Sequence, residues 1–576
     1  MTRNTCIASL VVVACGFVAA ARAGDATVPG EVTTPYPTLI NLGVEWQIEG
    51  DDNENGRVDV RFRAVGETDW HAAMPLRRVP GGQSRPPSTL HKWKNRHAGS
   101  IFDLKPDTEY EIHLKLVDPD GGDAERTVRA RTRPVPRIAP GAEKRVNPQS
   151  FAAAAAEAKP GDILILEAGH YGALTMPRDG APGKRIVIQG SDGAVCESVS
   201  LRGRKHVHLE GITVKQTKQV YAGVDLISAE DCVVRRCHIE AVYGVRATRP
   251  PGATNCYVAD NVIKGITPWT SEAMGADGKN EGEGVEMTGP GNVICFNRVS
   301  NFRDCISTME SQNAFNQVCI DIYNNDIEFG ADDGVEADYA MGNCRIMRNR
   351  LTNCFVGLSS QPGLGGPTYF IRNVMYNLTY VPYKLHNGSQ GDVVLHNTVV
   401  KTGDAAVCFT PASWGHALFR NNIAIGGRGG PWTHYSNGTG LAANFPAADA
   451  TCDFDYDGYG TVDTPFAGRI GGKRFDSLAA LRANTTEKHA VQLGLDIFAA
   501  KVQFPDPGTN KWPAPDLRLK PDSPAIDAGV VLPNLNDGYT GKAPDLGAYE
   551  YGQDPPHYGP RPPGVDEATP PKKRDS

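Results

Sequence analysis

Residues 330–338 read Gly-Ala-Asp-Asp-Gly-Val-Glu-Ala-Asp. Asp332, Asp333, Glu336 and Asp338 thus crowd around one glycine and one valine, and Asp304 precedes Cys305 as Asp333 precedes Gly334. Carboxylates packed this closely raise one another's pKa unless a cation holds them ionised. Calcium takes roughly six to eight oxygen ligands in flexible geometry, which suits a set made of Asp304, Asp332, Asp333 and Glu336. Paired carboxyls flanking a glycosidic bond are a second chemistry open to such a cluster. Turn acids that only cap backbone N–H groups are the non-chemical alternative.

What positions these acids is legible in a repeat. Seven strand-like runs share the pattern apolar-x-x-Asn-x-apolar, with Asn261, Asn297, Asn325, Asn349, Asn373, Asn397 and Asn421 at the shared place. The last five stand 24 residues apart, and Cys237 stands another 24 before Asn261. A fixed period in the low twenties with short β runs means stacked coils. The LxxLxL spacing of leucine-rich repeats is absent. The fold class expected is therefore all-β, a parallel β-helix, with a column of asparagine amides bonding from coil to coil.

Aligning the coils on the small residue that opens a strand gives a second column. Alternation sends Val335 and Ala337, Leu358 and Ser360, and Tyr383 and Leu385 inward. The outward third position holds Asp225, Arg246, Glu286, Ser307, Glu336, Ser359, Lys384 and Cys408. The outward fifth position holds Thr248, Thr288, Asp338, Gln361, His386 and Thr410. One face thus mixes acids, amides and bases on rungs ~4.8 Å apart. Arg246, Glu286, Asp338, Ser359 and Gln361 are the expected substrate contacts along an open groove. Arg249 and Arg345 are further candidates for holding a substrate carboxylate. The stretch Thr267–Gly282 is an insertion expected to wall the groove.

The rest of the chain frames this groove. Residues 1–23 read as a signal peptide: Arg3, an apolar run from Cys6 to Ala20, then Ala21-Arg22-Ala23 for cleavage. A secreted or periplasmic protein is expected, with a lipoprotein signal ending at Cys15 as the alternative. No other segment is long and apolar enough to span a bilayer. Residues 34–134 alternate like a separate β domain, and "LKPDTEYEIHLKLVDPDG" resembles the late strands of fibronectin type III domains. "TRPVPRIAP" reads as a stiff linker. The helix-like "NPQSFAAAAAEA" then opens the β-helix, expected over 147–430. Closing strands and loops are expected over 431–552, and a disordered Pro-rich tail over 555–576. Asp453, Asp455 and Asp457 resemble the start of an EF-hand loop, but Thr464 stands where its glutamate should be. The cysteines left after cleavage lie mostly in strand-like runs and read as small buried hydrophobes. A net charge of −7 and the lack of a basic face argue against nucleic acid.

The run "NDIEFGADDGVE" resembles the Asp-Asp-Gly-x-Asp strand entrance of family-nine pectate lyases. That resemblance implies a right-handed parallel β-helix and a calcium held by Asp332, Asp333, Glu336 and Asp304. It also implies a lysine base in a Phe-Lys-Leu strand, to which "PYKLHN" matches Lys384. Lys384 lies two rungs beyond Glu336, about 10 Å by strand spacing. The family places its lysine one coil on, where this chain has Ser359. His386 is the second candidate base. Three activities share this face: a calcium-dependent lyase of acidic polysaccharide, a glycoside hydrolase using paired carboxylates such as Glu286 and Glu336, and a glycan-binding β-helix without catalysis.

Overall fold

The computed structural model describes residues 24–85, 89–309, 311–408, 410–432 and 435–569; the expected signal peptide lies outside the described residues. The larger body is a parallel β-solenoid with three faces. Its first sheet has 13 strands, from Glu143–Val146 to Asp453–Asp455. The second has 13, from Gly169–His170 to Val491–Leu493, and the third has nine, from Ala173–Thr175 to Tyr383–Lys384. The inward residues of the third sheet, Val335, Ala337, Leu358, Tyr383 and Leu385 among them, join one core that runs the length of the solenoid. The helix Phe151–Glu157 closes its open end. Asn147 Oδ1 accepts from the N–H groups of Gln149 and Ser150, and Phe151, Ala155 and Ala158 cover the first coil's core.

The asparagine column lies at the corner between the first and second sheets. Asn349 shows the pattern. Its Oδ1 accepts from the Asn325 backbone N–H at 3.0 Å and from Asn325 Nδ2 at 2.9 Å. Its own Nδ2 donates to Ile322 O at 2.9 Å and to Asn373 Oδ1 at 3.1 Å. The residue before each member is left-handed, as in Asn324 (φ 54°), Arg348 (53°), Arg372 (54°) and His396 (54°). That backbone makes the corner sharp, and the amide column satisfies the groups it exposes. The expected last member, Asn421, is itself the left-handed residue (φ 59°). That coil is one residue longer, so Asn422 takes the place and bonds Asn397, while Asp457 ends the ladder.

The N-terminal body, expected as a two-sheet sandwich, is built of antiparallel strands. Its seven antiparallel strands run in the order Val28–Thr33, Leu42–Glu49, Arg96–Ile101, His71–Val79, Arg57–Ala64, Glu109–Val117 and Ala124–Arg131. The strand His71–Val79 pairs on both sides, so a single sheet curls around Trp46, Val58, Ile112 and Leu114. The strand Val28–Thr33, ahead of residue 34, pairs into this body. The body is fixed to the first solenoid sheet. Leu39 and Phe102 pack with Tyr257, Tyr323 and Tyr369, and Asn41 Nδ2 donates to Asp321 Oδ2 at 2.8 Å. Arg345 is fully buried there, bonded to Asp321 and Ser100, and so does not face the groove. The linker is anchored too: Arg133 donates to Asn255 O and Gly291 O.

The tail expected to be disordered is packed as far as Thr569. Arg561 donates to Asp260 and Tyr257 and lies 3.9 Å over the Phe296 ring. Glu567 accepts from the hydroxyls of Tyr257 and Tyr323, and Asp566 pairs with Arg137. Buried acids on the first sheet give the tail's arginine a partner that composition alone does not reveal. All eleven described cysteines are free and buried. Among the described residues no helix is long and apolar enough to cross a membrane.

Candidate active site

The third sheet stacks the expected column in register. Asp225 pairs with Arg246, Arg246 with Glu286, Glu286 with Ser307, Ser307 with Glu336, Glu336 with Ser359, and Ser359 with Lys384. The sheet ends there, so Cys408 does not continue it. In that coil the alternation is reversed: Cys408 points into the core and Val407 joins Trp269, Met274 and Phe355 at the strand entrances.

Facing outward is not the same as being exposed. Glu286, Glu336, Asp338 and Ser359 are buried, and Lys384, Gln361 and His386 are half-buried. The insertion Thr267–Gly282 is one reason. Trp269, Ala273 and Met274 pack against Ala331, Phe355 and Val381, and Gly275 N–H donates to Ala331 O at 2.7 Å. Tyr380 stacks on Phe355 at 5.0 Å, and Tyr435 meets both rings.

The tightest group of acids is Glu283, Asp304 and Glu336, whose oxygens come within 4.8 Å of one another. Glu283 pairs in register with Asp304. It escapes a reading of third and fifth positions alone, yet it precedes Gly284 as Asp304 precedes Cys305 and Asp333 precedes Gly334. Glu283 Oε2 is buried with no hydrogen-bond partner among the described residues, and so are Asp333 Oδ1 and Asp338 Oδ2. The four acids expected together divide their work. Asp304 and Glu336 join Glu283, Asp332 lies 3.3 Å from Arg303, and Asp333 holds Lys384. Asp304 also accepts from the Asp333 backbone N–H at 2.8 Å.

Lys384 Nζ sits 2.7 Å from Asp333 Oδ2 and 4.0 Å from Glu336 Oε1. The two-rung gap is real for the backbone, but the long side chain closes it along the solenoid axis. Burial alone would lower this ammonium's pKa, but Asp333, Asp332, Asp338 and Glu336 outweigh it and raise the pKa well above its ordinary value. The acids shift upward for matching reasons. Burial, then the charges of Glu286 and Glu336, raises Glu283; burial, then Glu283 and Glu336, raises Asp304. Burial and Asp338 push Glu336 to about 8 against the pull of Lys384. Burial pushes Asp338 to about 7, also against Lys384.

Neighbours fix the rest. Ser307 Oγ donates to Glu336 Oε2 at 3.0 Å. Asp338 Oδ1 accepts from Ser359 Oγ at 2.6 Å and from the Gln361 N–H at 2.9 Å. Three rungs before Glu336, Arg246 Nε donates to Glu286 at 2.6 Å, and its guanidinium lies 4.8 Å from the Tyr221 ring and 4.0 Å from the Tyr243 ring. His386 stands past Lys384 with its N–H donated to Ser360 O. The EF-hand-like acids diverge: Asp453 pairs with Arg420, Asp455 with His489, and Asp457 ends the ladder. Three converging carboxylates with an unsatisfied buried oxygen fit a hard, oxygen-seeking cation.

No protein-family model matches this chain, and no curated protein matches it. Among solved structures it matches one titled "Crystal structure of pectate lyase Pel9A", with a TM-score of 0.37 and 16% identity over 72% of this chain and 97% of that one.

Proposed function

We propose that this is an exported polysaccharide-degrading enzyme that cleaves uronic-acid-containing chains by calcium-dependent β-elimination. The observation that carries the reading is the meeting of Glu283, Asp304 and Glu336 with the Lys384 ammonium in one buried group. Calcium bound by those three carboxylates would supply positive charge that attracts a uronate carboxylate and acidifies the proton beside it. Lys384 Nζ is the nitrogen best placed to take that proton. Asp333 holds it as the ammonium, so the role requires the negative charge around it to be offset first. Arg246, pinned by Glu286 and two tyrosine rings, offers its remaining N–H groups to a substrate carboxylate about 14 Å along the groove by strand spacing. Asp338 holds Ser359 and Gln361 in place beside it, and His386 stands as the second base.

The test is ultraviolet absorbance of the unsaturated product as purified protein meets a panel of uronic-acid polysaccharides, with calcium and then with chelator. Product that requires calcium and is lost in Lys384→Ala supports the reading; calcium-independent product, or full activity in that variant, sinks it. A second reading, glycoside hydrolysis, is favoured by one observation. Glu336 and Asp338, at about 8 and about 7, hold protons near neutral pH as a general acid must. New reducing ends without ultraviolet absorbance would select it.

A further inference from the structure

The N-terminal body does more than sit on the first sheet. Its short hairpin, formed by strands Gly82–Gln83 and Lys92–Trp93, reaches over the coil ends that follow the third sheet. Trp93 is its anchor. The indole Nε1 donates to Pro80 O at 2.9 Å. A Cβ on Gly82 would come within 2.7 Å of the ring, and one on Gly365 within 2.6 Å, so two glycines leave the slot that the indole fills. The His91 ring meets the Tyr339 ring at 5.8 Å, one residue past Asp338. Arg85 lies against Gly388, two residues past His386, with its Cδ 3.2 Å from where a Cβ would stand. His416 ties the two bodies together, between Gln390 Oε1 at 2.8 Å and Glu54 Oε2 at 3.1 Å.

Between hairpin and coil ends lies a cleft of about 380 Å³, lined by Arg85, Trp93, Gln390 and His416 among others. Its size falls within the roughly 300–1,000 Å³ of small-ligand sites. Its charge is distinctive. Residues 70–102 contain no aspartate or glutamate in a chain of net charge −7. Arg85 is exposed and has no carboxylate partner among the described residues, whereas Arg246 and Arg303 at the acidic face are each paired. A cation that lines a cleft without a carboxylate partner of its own attracts an anion, and an acid that meets the lining, Glu54, is engaged by His416.

We propose that this cleft is a subsite for a carboxylate-bearing sugar unit, with Arg85 as its cation, so that the N-terminal body helps set specificity for the chain bound on the third sheet. The inference rests on the polysaccharide reading of that face but not on catalysis. Its test is electrophoresis of the full chain through gels containing polygalacturonate or alginate, with dextran as a neutral control and chelator throughout, so that no cation bridges the acidic trio. Both acidic gels, but not dextran, retard the wild type. Arg85→Glu weakens that affinity about five- to tenfold, Arg85→Lys retains most of it, and Lys501→Glu, an exposed charge elsewhere, leaves it unchanged. Thermal melts confirm that all three variants fold. The proposal is overturned if the wild type is not retarded, if Arg85→Glu binds like the wild type, or if Lys501→Glu weakens binding equally. Failure of the β-elimination reading is separate, since it appears as missing ultraviolet product while retardation persists.

Discussion

Two columns of buried polar side chains climb the same solenoid, one rung at a time. The asparagine column from Asn261 to Asn422 is neutral, and each amide finds partners above and below. The acidic face from Glu283 to Asp338 is built of ionisable carboxyls, and several of their oxygens find none among the described residues. A satisfied network in a low-dielectric interior rigidifies; an unsatisfied one costs free energy unless a ligand completes it. The difference separates side chains that hold the coils together from side chains whose oxygens are left unsatisfied.

The sharpest way to break the comparison is to make the stable column behave like the other. Asn349→Ala removes four hydrogen bonds, to the N–H and Nδ2 of Asn325, to Ile322 O and to Asn373 Oδ1, and breaks the ladder at its centre. It should cost about 3–5 kcal/mol, read as a lower urea midpoint; a change under about 1 kcal/mol would deny the ladder its role. The reverse experiment relieves the acidic face. In chelator, Glu283→Gln removes one of three crowded carboxyl groups and should stabilise by about 1–2 kcal/mol. The wild type should gain about 2.7 kcal/mol with calcium at a hundredfold over its Kd, and the variant should lose most of that gain in thermal melts.

The pH dependence sharpens the contrast. Glu336 at about 8 and Asp338 at about 7 bind protons more tightly folded than unfolded. Their contribution is therefore complete below the ordinary carboxylate range near pH 4 and is lost as pH rises through 7 and 8. In chelator, denaturation midpoints should fall steadily from about pH 4 to about pH 8, and saturating calcium should flatten the fall. The smallest effect belongs to Asp457, the one acid in the ladder. Burial raises it to about 6 beside Glu487. Asp457→Asn should stabilise more at about pH 8 than at about pH 4.5; equal effects at both would show that its charge is immaterial.

The regular parts of this protein were legible because the repeat is written in single residues. The 24-residue step located the ladder, and alternation placed Glu336, Ser359 and Lys384 on one column in their true register. The reading failed where one residue changes the count, as at Asn421 and at Cys408. It also failed where side-chain length decides, since strand spacing separates Lys384 from Glu336 and the lysine's reach reunites them. Glu283 was hidden by the long insertion before its coil, although its position ahead of Gly284 was a usable signal. Walls built from distant segments, such as Tyr435 and Trp269, leave no periodic mark.

The packed tail has a consequence for the order in which the molecule can be made. Glu567 receives the hydroxyls of Tyr257 and Tyr323, and Cys295 lies 3.5 Å from it. Tyr323 precedes that partner by 244 residues. A chain emerging from the ribosome can stack most of its coils as they appear. Tyr257 and Tyr323 on its first sheet lack their tail partners until residues 561–567 have been made. Part of the middle of this solenoid is thus completed by residues made 244 positions later.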